Sequence, residues 1–290
     1  MPAPLIQDPA TAARLASMSR RMDLGSALRG LDDGLSELLA APGQLSGLRA
    51  AGWRWFSKLE AELVDLQRAL PQAKSSALFQ RDQLVAPLKA RFQQLQAQAQ
   101  RPGDAAAMAS ALFRLDQDLV IAERALLAVS QAALERSVAL RDRLVMGRRA
   151  LDRFGDAGFK LGPGERPMMA FDANWVEAPS TPETPVGVLL LSDQRLRFER
   201  RDDRVLRRNL GGLAIETHVD RTLLLDEPHG SVGGATDASG VGLNRRPAVA
   251  LSWKAGALVG KKSTFALNGG ALELVAAAEA LRQGRAAAYA

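Results

Sequence analysis

The chain has 290 residues, 47% hydrophobic and 24% charged, which excludes wholesale disorder and leaves room for one large domain or two ordinary ones. It has no cysteine and only two histidines, His218 and His229, which excludes disulfides, thiolate metal sites and thiol nucleophiles and leaves little basis for imidazole chemistry. The net charge of +6 comes mostly from arginine and lies mainly before Gly155, interleaved with acids in the manner of solvated helix faces.

The N-terminal stretch from Met1 lacks a charged start followed by an apolar core. No apolar run approaches the roughly 20 residues that span a bilayer. The expected location is cytoplasmic, free or peripheral at the inner face of the membrane.

Helix-forming residues begin with a weaker stretch, Pro9 to Leu39, expected to be interrupted at Gly25, Gly30 and Gly34 and to end near Pro42-Gly43. Phe56, Leu59, Leu63, Leu66 and Leu70 then fall at spacings of three and four, one stripe of a helix that Pro71 is expected to close. A further run from Ser75 carries Leu84, Leu88, Phe92 and Leu95, with a kink expected at Pro87. Arg101-Pro-Gly-Asp104 is a break, and Asp104 is placed to cap the next helix. From Ala105 to Phe154, Leu112, Leu115, Leu119, Ala122, Leu126 and Val129 keep the same rhythm. An unbroken helix of that span is about 75 Å long, so it must pack against its predecessors or against another chain. Residues 1–154 are therefore expected to form an all-α coiled-coil or helical-bundle region that drives homo-oligomerisation.

Two clusters in this region carry two readings each. Arg49, Trp53, Arg54 and Lys58 suit a membrane-interface or base-stacking patch, whereas the helical spacing of Phe56 and a tryptophan favours core packing. Arg141, Arg143, Arg148, Arg149 and Arg153 suit a solvated helix end that complements the helix dipole, with an anionic partner as the alternative.

Residues 155–164 are glycine-rich and read as a linker. The period then becomes strand-like. Strands are expected at Met168–Val176, Val186–Leu191, Arg195–Arg200, Leu213–Thr217, Arg221–Leu225, Ala248–Trp253 and Ser263–Leu267, before a helix within Gly270–Ala287. Gly230 to Gly242 reads as a flexible loop. In the third strand Leu196 and Phe198 face one way, and Arg195, Arg197 and Glu199 the other.

Gly187-Val-Leu-Leu-Leu-Ser-Asp-Gln-Arg-Leu-Arg-Phe-Glu199 resembles the G-x-L-x-L-T-x-x-R-L-x-F hairpin of GRAM and bacterial pleckstrin-homology-like domains, with Ser192 where threonine is usual. The resemblance covers about Glu165 to Arg285 and implies a PH-like, partly open antiparallel β-barrel capped by a C-terminal helix. The chain as a whole is then an α+β multidomain protein with residues 165–290 as the second domain. The family implies a binding module without catalysis, recognising lipid headgroups, peptides or proteins. Its lipid-binding members place basic residues in the loop joining the first two strands. Here that loop, Ala178 to Pro185, holds Glu183 and neither Lys nor Arg, which argues against the usual phosphoinositide pocket.

Arg200, Arg201, Arg204, Arg207 and Arg208 flank the next loop and are the candidate anion or lipid contacts. Val188 and Leu190 lie on one face of their strand and Leu189 and Leu191 on the other, so both faces need cover. Leu189 and Leu191 are the candidate docking face for the helical half or a partner.

Motifs for chemistry fall short. Gly256-Ala-Leu-Val-Gly-Lys-Lys-Ser263 has three residues between its glycines where a phosphate-binding loop has four, and a strand follows it. His229, Asp237 and Ser239 lie in or beside a glycine-rich loop, a poor platform for a rigid triad. No catalytic, metal or cofactor residues and no small-molecule substrate are expected. The expected role is a non-enzymatic interaction or adaptor protein: the helices self-associate and the PH-like module binds a protein partner or an anionic membrane surface. The alternative is nucleic-acid binding through arginine-rich helices, against which the interleaved acids argue.

Overall fold

The computed structural model describes residues 4–176, 184–208, 214–239, 246–255, 257 and 262–283; the side chains at 203–208 and 214–217 are outside that description. Four helices come first: α1 (Pro9–Arg21), α2 (Gly25–Ala50), α3 (Leu59–Ala99) and α4 (Ala105–Gly155). Seven strands follow: β1 (Pro167–Trp175), β2 (Val186–Ser192), β3 (Arg195–Arg208), β4 (Ala214–Pro228), β5 (Val232–Asp237), β6 (Ala248–Trp253) and β7 (Lys262–Leu267). Helix α5 (Ala271–Arg282) closes the order. The chain is thus α+β, with a helical N-terminal half and an antiparallel sheet followed by one helix.

The residues form two compact units, whose bounds differ from a division at 155–164. One comprises Met1–Pro42 and Ala61–Arg141; the other comprises Gly43–Glu60 and Asp142–Ala290.

In the first unit, α3 and α4 form an antiparallel hairpin. Asp104 caps α4 as expected, its Oδ1 accepting from the Ala106 N–H at 2.8 Å. The hairpin buries Val85, Leu88, Phe92 and Leu95 from α3 against Leu112, Leu115, Leu119 and Leu126 from α4, with Leu15, Met18 and Met22 of α1 completing the layer. Arg21 fixes α1 on α4 through Asp116 at 2.6 Å and Glu123 at 3.0 Å. Arg141 reaches Glu37 at 3.2 Å and Lys74 reaches Asp32 at 2.5 Å, which ties in α2.

Several expected breaks are absent. Helix α3 runs through Pro71, and α2 runs through Gly30, Gly34 and Pro42-Gly43; at Pro87, where only a kink was expected, α3 also continues. An interior proline costs about 3 kcal/mol, but Leu63, Leu66 and Leu70 before Pro71 and Ala77 after it are all buried, and packing on both sides outweighs that local cost. Gly34 has a packing reason: a Cβ there would lie 3.3 Å from Leu70 Cδ2 and 3.4 Å from Leu134 Cδ2. Glycine here lets α2 approach the α3–α4 hairpin closely.

In the second unit the strands lie in the order β4-β3-β2-β1-β7-β6-β5, an antiparallel sheet that does not close. Trp175, Phe198 and Phe265 meet on one face with ring centroids 5.2–5.6 Å apart. Two strands expected at 213–217 and 221–225 are one long strand, β4. Leu223 is exposed because Phe198 pairs with Leu225 and Glu199 with Leu223, leaving Leu224 as an extra residue that breaks the alternation. The stretch 230–242, expected as a loop, contains β5, whose Gly233 and Gly234 lie against the Ser252 hydroxyl of β6. Helix α5 borders the outer edge of β5, where Glu279 Oε1 accepts the Ala235 N–H at 3.0 Å.

Gly34→Val would force a branched side chain between Leu70 and Leu134. We expect a loss of about 1–3 kcal/mol, read as a lower urea midpoint at unchanged slope; an unaltered midpoint would contradict the close approach.

Candidate functional site

The second unit concentrates the chain's buried polar chemistry around β1–β3. Its first component is the segment joining α2 to α3. Trp53 is fully buried and Trp55 nearly so. The Trp53 indole N–H donates to the Met168 carbonyl of β1 at 2.9 Å. Its ring lies flat on α4 at Gly147, where a Cβ would sit 2.9 Å from three ring carbons. Arg49 holds the turn from within, donating to the carbonyls of Trp53, Trp55 and Phe56 at 2.9–3.1 Å and to Glu60 at 2.7 Å. These bonds keep Phe56 in the left-handed region, at φ 59, which a bulky residue rarely enters. Arg49 and Trp53 of the sequence-level patch are therefore built into a clasp, and only Arg54 and Lys58 remain exposed.

The second component covers the outer face of β1 and β2. Phe154 from α4, with Phe159 and Leu161 behind it, packs on Ala170, Val188 and Leu190. The stretch 155–164, expected as a linker, is part of this cover. On β2 the side chains that meet this cover are Val188 and Leu190. Leu189 and Leu191, the expected docking face, are enclosed on the other side of the sheet, where cross-strand pairing sets Leu189 beside Phe171 and Phe198.

Under this cover, on the face of β3 opposite Phe198, lies a buried ionic network. Glu165 accepts a forked pair from Arg197, one hydrogen bond from the Ser192 hydroxyl and one from the Gly162 N–H at 2.7 Å. The Arg197 guanidinium also stacks over Phe159, 4.6 Å from the ring centroid, and reaches Asp226 at 2.9 Å. Burial alone would raise the Glu165 carboxyl, but the Arg197, Ser192 and Gly162 hydrogen bonds outweigh it and hold its pKa at about 2. Glu199 is buried as well and accepts the Gly158 N–H at 2.6 Å. His229 is buried with Nε2 2.8 Å from the Ser192 carbonyl oxygen, and burial pushes its imidazole below the ordinary value.

The third component is a set of shared carboxylates. Asp172 on β1 binds Arg149 at 2.5 Å and Arg153 at 2.9 Å. Asp156 binds Arg201 at 2.8 Å and Arg221 at 2.5 Å. Arg201 and Arg221 lie directly opposite each other on β3 and β4, a like-charge pairing that a shared anion relieves. Beside these pairs runs a surface groove of about 470 Å³ lined by Val145, Arg148, Arg149, Asp152, Arg153 and Asp156. Of its arginines, Arg148 is exposed, whereas Arg149 and Arg153 are taken by Asp172. The groove can recognise an anionic group, but it carries little net charge.

Of the candidate anion contacts, Arg200 pairs with Asp202 at 2.7 Å, and Arg201 is held by Glu199 at 2.9 Å as well as by Asp156. Arg204, Arg207 and Arg208 lie on β3 opposite His218, Glu216 and Ala214, and their side chains are outside the described set. His229, Asp237 and Ser239 do not assemble as a triad: Asp237 accepts the Ser239 N–H at 2.8 Å, and the His229 ring faces Ser192. Exposed His218 lies 3.4 Å from Asp220. Residues 256 and 258–261 of the lysine-containing glycine stretch lie outside the described residues. Among the described residues no three metal-ligating side chains converge, and no helix is long and apolar enough to cross a membrane. No protein-family model matches the chain, and no curated protein matches it in sequence.

Two tests address this architecture. Gly147→Ala places a methyl within the Trp53 ring's contact distance, so we expect a loss of about 1–3 kcal/mol and a shift in tryptophan emission; a wild-type melting curve would refute the clasp. For pH, the folded-state pKa of Glu165 lies below its ordinary 4.5, so its stabilisation is complete above that value and is lost as pH falls from 4.5 toward 2. His229 is also depressed, from 6.5, so the unfolded chain takes that proton first and stability begins to fall below about 6.5. Urea midpoints should therefore decline gently below neutrality and steeply below 4.5, with Glu165→Gln lowering the plateau and flattening the steep limb. An unchanged steep limb in that variant would remove Glu165 as its origin.

Proposed function

We propose that the chain is a non-enzymatic interaction protein in which a PH-like module binds a partner protein and the helical region supplies self-association. The observation that carries this reading is an open antiparallel sheet of seven strands followed by a single helix against β5 and β6, which agrees in outline with the partly open barrel and C-terminal helix expected from the resemblance at Gly187–Glu199. The hairpin residues form β2, a tight turn and the start of β3. A protein partner is favoured over an anionic membrane because Arg200 and Arg201, the described members of the candidate basic group, are matched by Asp202, Glu199 and Asp156. Binding through several weak modules on one oligomer raises apparent affinity without new contacts.

The test uses the full chain, sedimented with vesicles of zwitterionic lipid alone and of mixed zwitterionic and anionic lipid, beside light scattering for mass in solution. We expect equal, background pelleting with both vesicles and a defined multimer. Pelleting that rises sharply with anionic lipid and falls with salt would replace the protein partner by a membrane. A monomeric mass would remove the self-association.

A further inference from the structure

Helix α4 buries Leu112, Leu115, Leu119, Ala122 and Leu126 in the first unit, yet its opposite side is not the polar face such a helix ordinarily shows. Phe113, Val120, Leu127 and Val138 alternate there with Gln117, Arg124, Gln131 and Glu135. At about 100° per residue these eight side chains fall within roughly 80° of one another, and the spacing of three and four is that of a helix–helix seam. Phe113 is 56% exposed, Leu127 46% and Val138 42%, with Ile121 beside them at 64%. Around Ala125-Leu-Leu-Ala-Val129 the helix is apolar on every side, a composition that ordinarily marks a covered helix.

The charges on this face identify the cover. Arg124 and Glu135 are both exposed, and Glu135's only described contact is a hydrogen bond from Gln131 of the same helix turn. When the face is laid antiparallel on a second copy of itself so that Arg124 meets Glu135 of the other copy, the symmetry makes the reciprocal pair at the same time. The same register sets Val120 and Ile121 beside Val138, and Leu127 and Ala128 beside Gln131 and Ala132. A parallel pairing would instead stack Arg124 on Arg124 and Glu135 on Glu135. We infer that the outward face of α4, from Val120 to Val138, is a self-complementary interface that binds a second copy of this chain antiparallel, with Arg124 and Glu135 setting the register. This rests on the self-association proposed above and names its surface.

Charge exchange provides the test, on the full-length protein, by sedimentation velocity across a concentration series. Arg124→Glu alone opposes two like charges at each end of the seam and should weaken dimerisation at least tenfold, without altering helicity by circular dichroism. Adding Glu135→Arg to the same chain reverses both members of the pair and should restore wild-type association. Because the chain has no cysteine, a single Gln131→Cys beside the symmetry axis should give a disulfide-linked dimer on mild oxidation, whereas Ser110→Cys, far from that axis, should not. A wild-type dimer that is indifferent to Arg124→Glu and links no better through position 131 than through 110 would overturn this interface while leaving self-association intact. A wild-type monomer would overturn both.

Discussion

The second unit depends on one side chain held from three directions. Trp53 donates its indole proton to a strand carbonyl, lies on a glycine of α4, and has its own backbone carbonyl bound by Arg49. A buried indole N–H without an acceptor is costly, and the Met168 carbonyl supplies the acceptor, so the ring has one orientation in which its apolar area and its donor are both satisfied. Phe154, Phe159 and Leu161 then extend the same cover along β1 and β2. This sheet therefore has apolar residues on both faces without being a parallel sheet, since the end of α4 and the segment after it take the place that solvent would have.

Charge in this unit is handled by sharing. Asp156 and Asp172 each bind two arginines, and Glu165 takes both arms of Arg197. A buried ionic group is tolerable only when paired and hydrogen-bonded on its remaining positions, and Glu165 meets that condition through Ser192 and Gly162. The high arginine content here serves forked, multi-partner contacts that lysine could not make. Among the described residues, Arg149, Arg153, Arg197, Arg201 and Arg221 are each committed to a carboxylate of this unit.

Much of the fold was legible in the sequence. The three-four rhythm of Leu112 to Leu126 located α4 and its buried stripe, Asp104 located its start, and alternation located β1, β2, β6 and β7 to within a residue or so at most ends. Local rules failed where packing overrode them, at Pro42, Pro71 and Gly34 inside helices and at Gly233-Gly234 inside β5. The site was less legible. Alternation correctly placed Arg197 and Glu199 on the face opposite Phe198 but could not show that residues 154–161 bury that face. The aromatic pair within that stretch, Phe154 and Phe159, was the available signal, masked by its glycines. The two apolar faces of β2 were visible as such, while the choice of Val188 and Leu190 over Leu189 and Leu191 as the docking side needs the position of α4, which periodicity does not contain.

An open sheet has two ends at which another strand can add, and growth into a fibre needs both. Here the β5 end is blunted by a side chain: Glu279 of α5 occupies the outward Ala235 N–H and is itself steadied by Arg282 at 2.8 Å. Accretion of strands from neighbouring molecules is hindered at that end of the sheet and is left to the β4 end. One stoppered edge keeps crowded sheets of this kind from seeding amyloid-like stacks.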